Sequence, residues 1–274
     1  MVDFESTLLI IGGSLNMKKS PVLFLGHGSP MNIILENEYT ASLVQLGQSL
    51  PRPKAILVVS AHWLTKGTYI TTNKQPETIY DFYGFPQELY DIHYACPGVT
   101  KQLEEAAAIF ENASVQYDGK RGLDHAAWSV LKHMYPKADI PVMAMSLDYQ
   151  KTPQEHYELA KKLAPLREHD ILIIGSGNIV HNLRLIDWDM EAKAFDWAVH
   201  FDNIVKEHLV AGNHQPLIEY ETLGKEALLS VPTNDHYLPF LYAAALQDRN
   251  DELAFTYEGF QNASMSMRCL SFGV

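Results

Sequence analysis

Cysteine is nearly absent from the 274-residue chain: only Cys96 and Cys269 occur, far apart and without CxxC spacing. That leaves no disulfide framework and no cysteine-rich zinc module. Free thiols suit a reducing compartment, so a cytoplasmic protein is expected. Basic residues are scarce as well, 21 Lys and Arg against 33 Asp and Glu, for a net charge of -12. Phosphate binding needs a basic surface, which excludes nucleic acid as the main partner. The same balance argues against docking on an anionic membrane. No stretch approaches the ~18 apolar residues of a spanning helix. The run Leu8 to Ile11 is short and lacks the basic flank of a signal peptide. Linkers, repeats and low-complexity segments are also missing.

What is present is ordinary globular composition, 47% hydrophobic and 20% charged, in a chain long enough to bury a large core without a staple. At about 150 residues per domain the length allows two domains, but no boundary is visible. Met17 is followed by two lysines and then the first convincing strand. Residues 1–17 are therefore expected to be a loosely ordered N-terminal extension, and 18–274 the folded domain. Within it, strand-like runs alternate with helical ones. VLFLG ending at Gly26, AILVVS at 55–60, residues 69–72, 141–146 and ILII at 171–174 are read as strands. Residues 41–50, 100–111, 126–134, 153–166, 191–210 and 237–246 are read as helices, with late strands at 253–256 and 265–272. Such alternation predicts a single α/β domain with a mostly parallel central sheet flanked by helices. Residues 76–98, rich in aromatics and prolines, read as a long structured loop of the kind that builds pockets.

Histidine is the abundant exception, with twelve copies. Seven have bland contexts: His133, His156, His200, His208 and His214 lie on or near helices, His169 at a turn, and His93 in the aromatic loop. The other five share a setting, each placed where a strand has ended or a helix is about to begin: His27 after VLFLG, His62 after AILVVSA, His125 after GLD, His181 after ILIIGSGNIV, and His236 in TNDH. Ligands of open α/β folds bind at the carboxyl ends of the strands. One post-strand histidine is ordinarily a packing residue, but five from separate segments meet by chance only rarely. They point to a metal site at that edge. Imidazole suits zinc, copper, iron or nickel, and histidines on loops with room for substrate suit a catalytic site. Two other motifs are weaker. Gly175-Ser176-Gly177-Asn178 resembles a phosphate-cradling turn but lacks the full glycine fingerprint, and Gly26-His27-Gly28-Ser29-Pro30 is not a nucleophile elbow.

Taken together, GHGSP at 26–30, SAHW at 60–63, DFYGFP at 81–86, DHAAW at 124–128, GSGNIVHN at 175–182 and NDHYLP at 234–239 resemble the DOPA-type class III extradiol ring-cleaving dioxygenases. The likeness runs over nearly the whole chain from residue 20. It implies a catalytic domain over 18–274 that opens catechol rings, L-DOPA or similar, by 4,5-cleavage with O₂ at a mononuclear non-heme divalent metal, giving a semialdehyde. Fe(II) is expected for activity, with Zn(II) as an alternative bound species. By the resemblance, His27, His62 and His236 match metal ligands. His181 matches an acid–base histidine that can also reach the metal, and His125 matches a second catalytic histidine. Asp124, Asn178 and Asn182 are candidates to orient these histidines or substrate, and Trp63 and Tyr237 to wall the pocket. Protocatechuate-type members of the wider class supply a Glu as third ligand where this chain presents His236. Three neutral imidazoles leave more positive charge for an anionic catecholate and make zinc more competitive with iron. The expected partners are a small catechol and O₂, with the chain a monomer or small homo-oligomer. A zinc hydrolase on the same histidines and a non-catalytic binding relative are the alternatives.

Overall fold

The structure, a computed structural model, describes residues 19–99 and 101–274. The expected N-terminal extension and Thr100, the expected first residue of a helix, lie outside the described residues. Ten strands occur among the described residues: β1 (Val22–Gly26), β2 (Ala55–Thr65), β3 (Tyr69–Thr71), β4 (Gln116–Asp118), β5 (Val142–Asp148), β6 (Ile171–Gly177), β7 (Leu253–Tyr257), β8 (Phe260–Gln261), β9 (Met265–Ser266) and β10 (Cys269–Phe272). Eight of them form one sheet in the order β4-β3-β5-β2-β6-β1-β10-β7, and β8 pairs with β9 alone. The centre is parallel, with β5, β2, β6 and β1 running side by side. The sheet as a whole is mixed, because β10 pairs antiparallel with β1 and with β7, and β3 pairs antiparallel with β5.

The central strands are apolar on both faces, as a sheet buried between helices requires. Val22, Phe24, Leu57, Val59, Ile171 and Ile173 point into one core; Leu23, Leu25, Ile56, Val58, Leu172 and Ile174 point into the other. Nine α-helices occur among the described residues: α1 (Glu38–Ser49), α2 (Gln87–Tyr90), α3 (Lys101–Asn112), α4 (His125–Met134), α5 (Pro153–Lys162), α6 (Asp196–Val210), α7 (Gln215–Ile218), α8 (Lys225–Ser230) and α9 (Leu238–Ala245). The first core takes α3 and α5 to α9; the second takes α1, α4 and the aromatic loop.

Several element ends differ from expectation for local reasons. α1 begins earlier, at Glu38, because Asn37 and Thr40 form a reciprocal capping box. α5 ends at Lys162 and a 3₁₀ turn follows from Ala164, since Pro165 has no amide hydrogen to continue the α-helical ladder. α6 starts at Asp196 rather than 191, because the Phe195 amide is drawn to the Ala263 carbonyl at 3.0 Å. Strands β4 and β8 have no counterpart among the expected strands, and the late strand at 265–272 is two, β9 and β10. No described helix is long and apolar enough to cross a membrane.

Candidate metal centre

Parallel β1, β2 and β6 end at one edge of the sheet, and that register assembles the histidines. His27 follows β1 directly, and its amide bonds the Gly177 carbonyl at the end of β6 at 3.1 Å. His62 was expected just past a strand; it lies within β2, in a stretch where the pairing with β5 shifts between Val59 and Leu64. Such an irregularity bends a strand and re-aims its side chains. His125 is the first residue of α4. His181 follows β6, with its amide bonded to the Ser230 carbonyl at 2.9 Å. His236 precedes α9, and its carbonyl accepts the Asn178 amide at 2.9 Å. This close approach explains the glycines after ILII. A Cβ on Gly177 would lie 2.1 Å from the His236 carbonyl oxygen, and one on Gly175 would lie 2.2 Å from that of Pro239. The motif that resembles a phosphate cradle is therefore a packing requirement that lets the His236 segment lie on β6.

Three of the histidines share one point. The Nε2 of His62 lies 3.2 Å from the Nε2 of His27 and 3.2 Å from that of His236. Their partners on the other ring nitrogen determine which tautomers are present. His62 Nδ1 is 3.0 Å from an Asp81 carboxylate oxygen, and His236 Nδ1 is 2.5 Å from one of Asp235. An ionised carboxylate only accepts, so both Nδ1 atoms carry the proton. His27 Nδ1 meets Ser176 Oγ at 3.1 Å, and Ser176 donates its one hydroxyl proton to the Ala126 carbonyl at 2.6 Å. Ser176 thus accepts from His27. Three unprotonated Nε2 atoms consequently face one another with no hydrogen to share. Two imidazole nitrogens bound at about 2.0–2.1 Å to one tetrahedral ion lie about 3.3 Å apart, so the donor set fits a single metal ion.

His27 and His236 are buried and His62 is partly exposed. Burial, then the neighbouring histidines, holds His27 and His236 far below the usual imidazole range. His125 is also lowered, by burial first; its ring centroid is 4.1 Å from that of His62. His181 lies face to face on His236, at 3.5 Å between centroids and 6° between planes, and burial pushes it down to about 4. Among the described residues, the mutually close donor groups are His27, His62 and His236, and separately His62, Asp81 and His125; His181 is in neither.

Two carboxylates with no local signal for the role, Asp81 in DFYGFP and Asp235 in NDHYLP, stand behind the histidines. Asp81 bonds His62 on one oxygen and the His125 ring and amide on the other, each of the latter at 2.9 Å. Burial works against its ionisation, but the His125 and His62 hydrogen bonds hold its carboxyl well below the carboxylate range. The five polar and aromatic candidates sort differently. Asp124 does not touch the His125 ring; it accepts from Ser60 at 2.7 Å and Arg121 at 3.1 Å. Asn178 bonds the Ser266 carbonyl and Asn182 the Leu229 carbonyl, at 2.8 and 2.7 Å, so both brace backbone. Tyr237 is fully buried in the α6–α9 core with its hydroxyl on the Leu217 carbonyl. Trp63 is buried under the Arg121 guanidinium, 5.3 Å away. In the aromatic loop, Phe82 sets its ring against His125 at 5.5 Å.

A parallel α/β core whose carboxyl edge gathers bare imidazole nitrogens defines a class, proteins built to hold one metal ion beside a small substrate. Comparison with known sequences narrows it. A family described as "Catalytic LigB subunit of aromatic ring-opening dioxygenase" matches residues 22–267. A 4,5-DOPA dioxygenase extradiol of Escherichia coli (strain K12) is 43% identical over 93% of this chain and 95% of its own length. One from Beta vulgaris is 33% identical over 96% of this chain and 99% of its own. A crystal structure of an uncharacterized Escherichia coli K12 protein superposes with a TM-score of 0.80 at 38% identity, covering 92% of this chain and 99% of that one. The chain belongs to the LigB family and is an extradiol ring-cleavage dioxygenase within it.

Proposed function

We propose that the chain opens the ring of L-DOPA, or a closely similar catechol, by 4,5-extradiol cleavage with O₂, yielding a semialdehyde. The observation that carries this reading is the convergence of three bare Nε2 atoms beside two further neutral histidines. His27, His62 and His236 would hold a mononuclear divalent metal, Fe(II) in the active enzyme, with Zn(II) able to take the same donors. When bound, the metal supplies a positive centre that acidifies the catechol hydroxyls and a place for catechol and O₂ to meet. With no carboxylate ligand, that centre keeps charge for an anionic catecholate.

The remaining steps belong to side chains. His125 donates Nδ1–H to Asp81, so its Nε2 is the free acceptor for a catechol proton. Its lowered pKa keeps the ring neutral before substrate arrives. His181, also neutral at pH 7, is the second acid–base group. It presents its face to His236, which favours proton handling over ligation. Phe82, edge-on to His125, shields that ring from water.

The test is reconstitution of metal-free protein with Fe(II) under anaerobic conditions, followed by L-DOPA and oxygen. A yellow semialdehyde forming near neutral pH with iron, and not with zinc, is expected. No product from any catechol would sink the reading, and ester or amide hydrolysis with zinc would favour a hydrolase.

A further inference from the structure

Asp81 is placed where one carboxylate reaches two histidines of different duty. One oxygen accepts from His62 Nδ1, and the other accepts from both the ring Nδ1 and the backbone amide of His125. The segment is clamped on either side of it. The Ile79 amide bonds the Leu123 carbonyl at 2.7 Å, the Ile79 carbonyl accepts the Trp128 indole at 2.9 Å, and Phe82 packs against His125. That clamp holds the backbone from which Asp81 reaches both rings, and the carboxylate itself is held by the bonds it accepts from them.

We propose that Asp81 is a positioning residue that sets the tautomer of His62 and His125 together, so that the metal-facing and the proton-accepting nitrogens are both bared by the same carboxylate. The roles of His62 and His125 rest on the function proposed above; the protonation pattern does not. The asymmetry of the contacts makes the consequence of Asp81→Asn specific. An amide offers one accepting oxygen and one donating NH₂. The His125 backbone amide cannot change what it is, so the amide oxygen must stay on the His125 side. The NH₂ then faces His62 Nδ1, which has to give up its proton. His62 is driven to the Nε2–H tautomer, with a hydrogen where the metal belongs, while His125 keeps Nδ1–H.

Imidazole nitrogen-15 NMR on the full chain reads this directly, in metal-free and zinc-loaded protein. In the wild type both His62 and His125 are expected as Nδ1–H. In Asp81→Asn, His62 is expected as Nε2–H and His125 unchanged, with zinc affinity, measured by chelator competition, down by about 10–100-fold. Asp124→Asn, at a carboxylate that accepts from Ser60 and Arg121 and from no histidine ring, should leave both tautomers in place. The inference falls if either histidine is Nε2–H in the wild type, a result available even if the variant does not fold. It falls equally if Asp81→Asn leaves His62 and zinc affinity unchanged, or if Asp124→Asn moves the tautomers as far. Correct tautomers in an enzyme that opens no catechol would overturn the proposed function and leave this inference standing.

Discussion

Two buried histidines, one on α5 and one at the carboxyl edge of the sheet, separate what packing asks of an imidazole from what a site asks. His156, on α5, is fully buried, with Nδ1 on the Tyr242 hydroxyl at 3.0 Å and Nε2 on the Asp148 carbonyl at 3.1 Å. His27 is buried as deeply, and its Nδ1 is satisfied by Ser176, but its Nε2 faces only other bare nitrogens. Burial lowers both pKa values, to about 4 for His156. Depth and a depressed pKa therefore do not distinguish the two. The difference is that one ring is saturated by the protein and the other leaves one nitrogen per ring aimed at a common point.

The contrast breaks most sharply by mutation. His62→Ala should abolish both metal retention and ring opening, read by metal analysis and oxygen uptake with a catechol, whereas His156→Ala should keep both. Full metal content in His62→Ala would erase the distinction. His125→Ala tests a finer division within the site: the metal should stay while turnover drops by about 10²–10⁴-fold, the usual worth of a proton-transfer group. On the packing side, His156→Ala strands the Tyr242 hydroxyl and should cost about 1–3 kcal/mol in urea unfolding. An unchanged midpoint would mean that His156 does not hold the α5–α9 contact.

A further effect is graded with pH and shared by both sets. His156 and His181 titrate near 4 in the folded chain but at about 6.5 when unfolded. Between those values the unfolded chain binds more protons, so stability rises with pH there. It is complete above about pH 6.5 and declines as the pH falls toward 4. Metal-free protein should melt at a lower temperature at pH 5 than at pH 7, and His156→Ala should make that dependence shallower. A melting temperature constant across the window would contradict the lowered values.

Much of this was legible in the chain. Runs such as ILII and AILVVS are apolar on both faces because both faces are covered, and their alternation with helical runs pointed to a parallel core. The five post-strand histidines stood out because strand ends in such folds share an edge. Less legible were the carboxylates behind them. Asp81 is 44 positions from His125, so nothing local links them. Asp235 is adjacent to His236, where side chains seldom meet, yet the turn before α9 brings them together. At Asp124 and His125 the helix start instead sends the carboxylate to Ser60 and Arg121. The mixed edges were hidden too, since strand direction depends on long-range pairing.

By itself the sequence determined the layers of the fold, the two-sided core and which histidines lie at the edge, because periodicity and strand ends are local properties of the chain. Tertiary structure alone decided which nitrogen of each ring is bare. That choice depends on acceptors brought from distant segments, Asp81 for His62 and His125, Ser176 for His27, with His62 in a stretch of β2 where the pairing with β5 shifts. It made three of the five histidines a donor set and left His181 stacked beside it, because a ring's tautomer follows the partner on its other nitrogen.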